Sequence, residues 1–122
     1  MGKVERFEDL RVWRQGIELV KQVYGVTGQG KLARDFGLRD QMRRAAVSVP
    51  TNIAEGFERR SRKEYLQFLN IAKGSVGEVR SLLRVALEVG YLDSSSYEIL
   101  HDQAVQISRM LAAQMKGVEG KG

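Results

Sequence analysis

Five polar side chains in the middle of this chain stand at a spacing that could do chemistry. Gln41, Arg44, Ser48, Asn52 and Glu55 are three, four, four and three residues apart, which puts all five on one side of a helix. Two chemistries fit such a line. It is either a hydrogen-bond network that fixes register between helices or subunits, or an anion or nucleic-acid groove built on Arg44 with Asn52. The first is the simpler reading, because Ser75 and Glu78 farther along the chain are suitable partners. Glu78 interrupts an otherwise apolar seam, and a carboxylate placed there needs a cation. Arg44 is the expected one.

Catalysis finds little to work with. His101 is the only histidine and there is no cysteine. Zinc sites, and the two Glu-x-x-His motifs of a bundle di-iron centre, therefore have no ligands. No metal or other cofactor is expected, and His101 is assigned to a rim. Ser48 and Ser75 lack a histidine base. Gly74-Ser75-Val76-Gly77 lacks the strand-to-helix setting of a nucleophile elbow. Glu55 with Glu78 is the one carboxylate pair available for acid–base work, but pairing of both with basic neighbours is the simpler reading. Gly28-Gln29-Gly30-Lys31 is too short for a phosphate loop.

Charge points elsewhere. The net charge is +5 and the isoelectric point about 9.7. Residues 31–64 carry nine basic against five acidic side chains, whereas residues 65–122 carry six of each. Arg39, Arg43, Arg59, Arg60, Arg62 and Lys63 are the candidates for phosphate contact. A merely solvated basic turn at 59–63 is the competing reading. Aromatic residues are only 7% of the chain, so stacking on single-stranded bases is not indicated.

The elements that must position these residues are helical. The 122 residues suit one domain, and 43% hydrophobic content can supply one core. The absence of cysteine fits a reducing cytoplasm. No apolar run is long enough for a membrane span, and the N-terminus lacks a signal-peptide core and the Ser/Thr of a myristoylation signal. A first helix is predicted from about Glu8 to Val26. Its heptad seam is Leu10, Trp13, Ile17, Val20 and Tyr24, and a second apolar line runs through Val12, Leu19, Val23 and Val26. Together these lines are wider than one core requires, which predicts a second contact, most simply another subunit. A polar loop at 28–36 follows.

A second helix is predicted from Arg34 or Leu38 to Glu58, with Leu38, Met42, Ala45, Val49 and Ile53 inward and a kink at Pro50. Ser61 and Glu64 form a capping box that opens a third helix reaching Val89. Its seam is Tyr65, Leu69, Ala72, Val76, Val79, Leu83 and Ala86, and a second seam runs from Phe68 through Ile71 and Glu78 to Val89. Gly74 and Gly77 lie mid-helix, where close approach of a neighbouring helix is the expected reason. Gly90 is a C′ glycine. Asp93 or Ser94–Ser95 caps a fourth helix carrying Tyr97, Leu100, Ala104, Ile107 and Leu111 inward. Residues 117–122 are expected to be a flexible tail after an ordered core of about 7–116. The fold class is all-α: an up-down-up-down antiparallel four-helix bundle that forms a homo-oligomer.

Three stretches carry a family resemblance: FEDLRVW at 7–13, QMRRAAVSVPTNIAEGFERRSRKEYLQFL at 41–69 and IAKGSVGEV at 71–79. The chain resembles the four-helix-bundle proteins encoded within intervening sequences of bacterial 23S rRNA genes. More distantly, it is similar to the accessory variability protein of diversity-generating retroelements. The motif falls on Gln41, Arg44, Ala45, Ala46, Ser48, Pro50, Asn52, Ile53, Ala54, Glu55 and Gly56, and on Gly74, Ser75 and Glu78. Gly77 departs from it, standing where a larger residue is usual, and the first loop is richer in glycine and lacks the common proline. The resemblance implies a ring-shaped homopentamer with no established enzymatic activity. The retroelement relatives imply a basic scaffold for RNA and a reverse transcriptase. The expected function is thus a non-enzymatic oligomeric scaffold that binds nucleic acid, RNA in particular, as accessory to a reverse transcriptase or an rRNA-linked element. The alternative is a purely structural homo-oligomer that docks a protein partner.

Overall fold

The computed structural model describes residues 3–120. The N-terminal Met-Gly pair and the last two residues of the expected tail lie outside them. A 3-10 turn at Phe7–Asp9 precedes five helices: α1 (Arg11–Thr27), α2 (Gly30–Arg34), α3 (Phe36–Phe57), α4 (Arg62–Glu88) and α5 (Ser94–Glu119). The described residues contain no strand. The first helix thus begins three residues later than its spacing suggests, with the 3-10 turn ahead of it.

The four long helices pack antiparallel in chain order, and α5 closes back on α1. Side-chain contacts fix the registers. Gly16 of α1 lies against Pro50 of α3, and Thr27 meets Arg43. Between α3 and α4, Gly56 lies against Phe68 and Tyr65, while Ser48 meets Ser75 and Gln41 meets Glu78. Between α4 and α5, Gln114 donates to the Tyr65 hydroxyl.

The helix boundaries follow from local chemistry. Asp35 caps α3 by accepting the Leu38 N–H at 3.1 Å, Ser61 caps α4 through the Glu64 N–H at 3.0 Å, and Asp93 caps α5 through the Ser96 N–H at 2.7 Å. At the end of α4, Tyr91 N–H bonds Ala86 O at 2.8 Å and Gly90 N–H bonds Leu87 O at 3.0 Å. That is a Schellman closure, and it requires the positive φ of 81° at Gly90. α3 runs helically through Pro50.

The inward lines of α3, α4 and α5 are those the spacing predicts: Met42, Val49, Ile53, Leu69, Val76, Leu83, Leu100, Ile107 and Leu111 are all buried. Other parts differ. In α1 the core line is Val12, Leu19 and Val23, while the heptad seam divides: Leu10 is buried, Trp13, Ile17 and Val20 are half-buried, and Tyr24 is 45% exposed. The loop at 28–36 holds α2, because Leu32 is apolar and fully buried and winds one short turn around its anchor. The chain stays helical past Gly117 to Glu119, where Val118 is buried and holds the last turn. Gly74 and Gly77 are not close-packing sites, since a Cβ at either would meet nothing within 4 Å. The close approaches are instead at Gly16, whose Cβ would lie 3.3 Å from Pro50 Cβ, and at Gly56, whose Cβ would lie 2.7 Å from Phe68 Cβ.

Candidate nucleic-acid interface

The polar line of α3 divides into three parts. Its centre is a compact network. Asn52 Nδ2 donates to Ser48 O at 2.8 Å and to Ser48 Oγ at 2.9 Å, and Ser48 Oγ shares a 2.8 Å hydrogen bond with Ser75 Oγ of α4. The Asn52 amide therefore reaches back one turn across Pro50 to Ser48, and the Ser48–Ser75 bond links the two helices. Gln41 stands at the upper end, 3.5 Å from Glu78. Glu55 stands at the lower end and pairs with Arg59 at 3.6 Å.

Arg44 does not join the network. It is exposed and lies in no ion pair among the described residues. The expected Arg44–Glu78 pair is absent because Glu78 faces solvent, so water relieves its charge and no buried cation is required. Glu55 and Glu78 are not brought together either. Glu78 is in register with Gln41, 14 residues from Glu55 along α3, about 21 Å of helix rise.

The six candidate phosphate contacts separate into two groups near opposite ends of α3. Arg39 and Arg43 sit near its start and are engaged. Arg39 pairs with Asp40 at 2.9 Å, donates to Ala33 O at 3.2 Å and lies 4.7 Å over the Phe36 ring. Its hydrogen bond is the main reason the Asp40 carboxyl stays below the ordinary carboxylate range, with Arg44 and Arg43 adding to it. Arg43 donates to Thr27 Oγ1 at 2.8 Å and covers the Tyr24 ring at 4.5 Å. Thr27, fully buried, donates its own hydroxyl hydrogen bond to Val23 O at 2.6 Å. This tie between α1 and α3 escapes a reading of spacing, since a threonine just before Gly28 resembles only a helix end.

The other four cations crowd the α3–α4 corner. Arg59 is held by Glu55, by Glu64 at 3.9 Å and over the Phe68 ring at 4.8 Å. Arg60, Arg62 and Lys63 are exposed and make no ion pair among the described residues. Arg60 and Arg62 line a cleft of about 500 Å³ whose wall includes Lys3, Phe57 and Tyr65. Tyr65 packs edge-on against Phe57, and burial pushes its hydroxyl above the ordinary tyrosine value, opposed by the hydrogen bond from Gln114. His101 stacks on Tyr97 at a ring separation of 5.4 Å. No cluster of three potential metal ligands exists among the described residues, and no helix is long and apolar enough to cross a membrane.

An all-α protein of antiparallel helices with cations concentrated at one inter-helix corner is the class these features define. Within that class, the chain belongs to the 23S rRNA-intervening sequence protein family, whose model matches residues 8–113. A similar fold occurs in the crystal structure of a protein with unknown function from the S23 ribosomal protein family of Bacteroides thetaiotaomicron. The two chains are 22% identical with a TM-score of 0.79, over 86% of this chain and 98% of that one. No curated protein matches the sequence.

Proposed function

We propose that this protein is a non-enzymatic, basic, self-assembling scaffold that binds RNA through its α3–α4 corner in the cytoplasm. The observation that carries the reading is the set of three exposed cations, Arg60, Arg62 and Lys63, without carboxylate partners among the described residues. Arg62 and Lys63 also occupy the first turn of α4, where the helix dipole adds positive potential. A cation already paired gains little from a phosphate; an unpaired one releases counterions when it meets one. The distant likeness to retroelement accessory proteins supports a role beside a reverse transcriptase or an rRNA-linked element.

Assembly into a ring supplies the scaffold. Its faces are the half-buried seam of α1 at Trp13, Ile17 and Val20 and the outer side of α4, where Ile71, Val85 and Val89 are exposed.

Titrating a structured RNA against the protein between 50 and 200 mM salt tests the corner. Three phosphate contacts predict a loss of about 40-fold over that range. The triple variant R60E/R62E/K63E should bind weakly and show a flatter salt dependence. Affinity unchanged by salt, or by the triple variant, overturns the reading. A second reading, a structural oligomer that docks a protein, draws on the groove lined by Trp13, Ile17, Val20 and Val47. Purification at low salt separates the two: co-eluting nucleic acid supports the first, and a stoichiometric protein partner the second.

A further inference from the structure

Phe36 is the most exposed large apolar side chain among the described residues, at 63%. It opens α3 directly after the Asp35 cap, a position where capping asks nothing apolar of the side chain. It lines a cleft of about 460 Å³ with Tyr91, Lys31, Arg34 and Asp35. Lys31 and Arg34 are exposed and lie in no ion pair among the described residues. Arg39 sits 4.7 Å over the Phe36 ring, yet most of that ring stays open to water. The volume is that of a small-ligand site. Its walls combine an open aromatic surface, a second aromatic residue and two free cations, the pairing of stacking platform and backbone anchor that single-stranded nucleic acid uses.

We propose that this cleft is a second nucleic-acid site, which takes an unpaired nucleotide. The base stacks on Phe36 beside Tyr91, and the adjoining phosphates lie on Lys31 and Arg34. Asp35 already accepts the Leu38 N–H through Oδ1, leaving Oδ2 to accept from an exocyclic amine of the base. A duplex cannot use the platform, because its bases are stacked on one another. The site stands at the start of α3, near the α4–α5 connection, whereas the Arg60–Lys63 corner follows the other end of α3. It therefore does not depend on that corner's role.

The test is fluorescence anisotropy at 50 mM salt with two probes, a labelled six-nucleotide cytidine RNA, whose bases carry an exocyclic amine, and a blunt RNA duplex. F36A should lose about fivefold or more on the single strand, as expected for one stacked base, and leave duplex affinity unchanged. F36W should retain single-strand binding, and F36L, which keeps bulk without a ring, should behave as F36A. K31E/R34E should weaken single-strand binding and flatten its salt dependence. R60E/R62E/K63E should weaken the duplex while leaving the Phe36 effect on the single strand in place, so failure at either site is read separately. The proposal is overturned if the protein does not bind the single strand, if F36A or F36L binds it as the unmodified protein does, or if both probes weaken equally. A change in light-scattering mass with F36A would assign the surface to a contact between copies instead, and would also overturn it.

Discussion

Ser48 stands between two partners that need it for different reasons. It accepts from Asn52 and shares a hydrogen bond with Ser75, so the three side chains form one chain of donors and acceptors rather than separate bonds. Ser75→Ala should cost about 1 kcal/mol in urea unfolding, the net worth of such a bond. Ser48→Ala should cost more, since it removes both contacts. The double substitution should cost less than the sum, because the second change removes a partner already orphaned. Additive costs would mean that the serines act independently. Asp93 gives a pH-dependent counterpart. Its carboxylate accepts the Ser96 N–H, which is the main cause of its lowered pKa. Such a group stabilises fully above the carboxylate's ordinary pKa and loses that contribution as pH falls through the lower, folded value. Asp93→Asn keeps a capping oxygen without the charge, so its melting temperature should fall less steeply between pH 5 and pH 3 than that of the unmodified protein. Spacing made the Ser48–Asn52–Ser75 cluster legible, because side chains three and four apart share a helix side. It failed for Arg44, because helix phase does not tell a seam covered by a neighbour from one left in water.

At the scale of elements, glycines separate the packed faces from the open ones. At Gly56 a Cβ would fall 2.7 Å from Phe68 Cβ and 3.3 Å from the Tyr65 carbonyl oxygen. Neither atom is the free end of a flexible chain. Gly56→Ala should therefore force α3 and α4 apart and destabilise by about 1–3 kcal/mol, the usual cost of overpacking. At Gly74 and Gly77 the space is empty, so alanine should stabilise the isolated protomer by about 0.8–1 kcal/mol at each site through helix propensity alone. Thermal unfolding of the three variants at low protein concentration checks both signs. The same contrast explains what the sequence could not decide. Caps and C′ glycines announced the ends of α4 and the start of α5, since those signals are local. Periodicity found two apolar lines on α1 but not which faced inward. On α1 the core took Val12, Leu19 and Val23, leaving Trp13, Ile17 and Val20 half-buried and Tyr24 exposed, because Gly16 at Pro50 lets the backbones approach on that side. α2 went unseen because five residues cannot display a helical period, and only Leu32 marks it.

For the whole molecule, two apolar surfaces remain partly open after the core is filled. On α4, Ile71 is 51% exposed, Val85 43% and Val89 54%, with exposed Glu78 on the same line between Ile71 and Val85. Across α1 and α3, a groove of about 520 Å³ is lined by Phe7, Trp13, Ile17, Val20, Val47 and Pro50. An apolar groove rimmed by polar residues, here Glu55 and Glu58, is the kind of surface that marks a protein contact. A ridge on one side and a groove on another make a heterologous contact, and such contacts close into rings when the rotation per subunit permits. Arg44 lines the next stretch of the same groove, and Glu78 projects from the α4 ridge, so a neighbouring copy can supply the ion pair the protomer lacks. Ile71→Glu and Val47→Glu, both at exposed positions, should leave helicity unchanged and reduce the light-scattering mass toward a single chain. Arg44→Met should weaken assembly and Glu78→Gln should do the same, with little further loss when combined. RNA affinity should fall with the assembled fraction, because linked copies of one basic corner bind with raised effective concentration, while the intrinsic salt slope per protomer stays the same. If the unmodified protein is already a single chain at about 10 μM, a concentration below the Kd of only weak contacts, the ridge and groove do not meet and the scaffold reading fails.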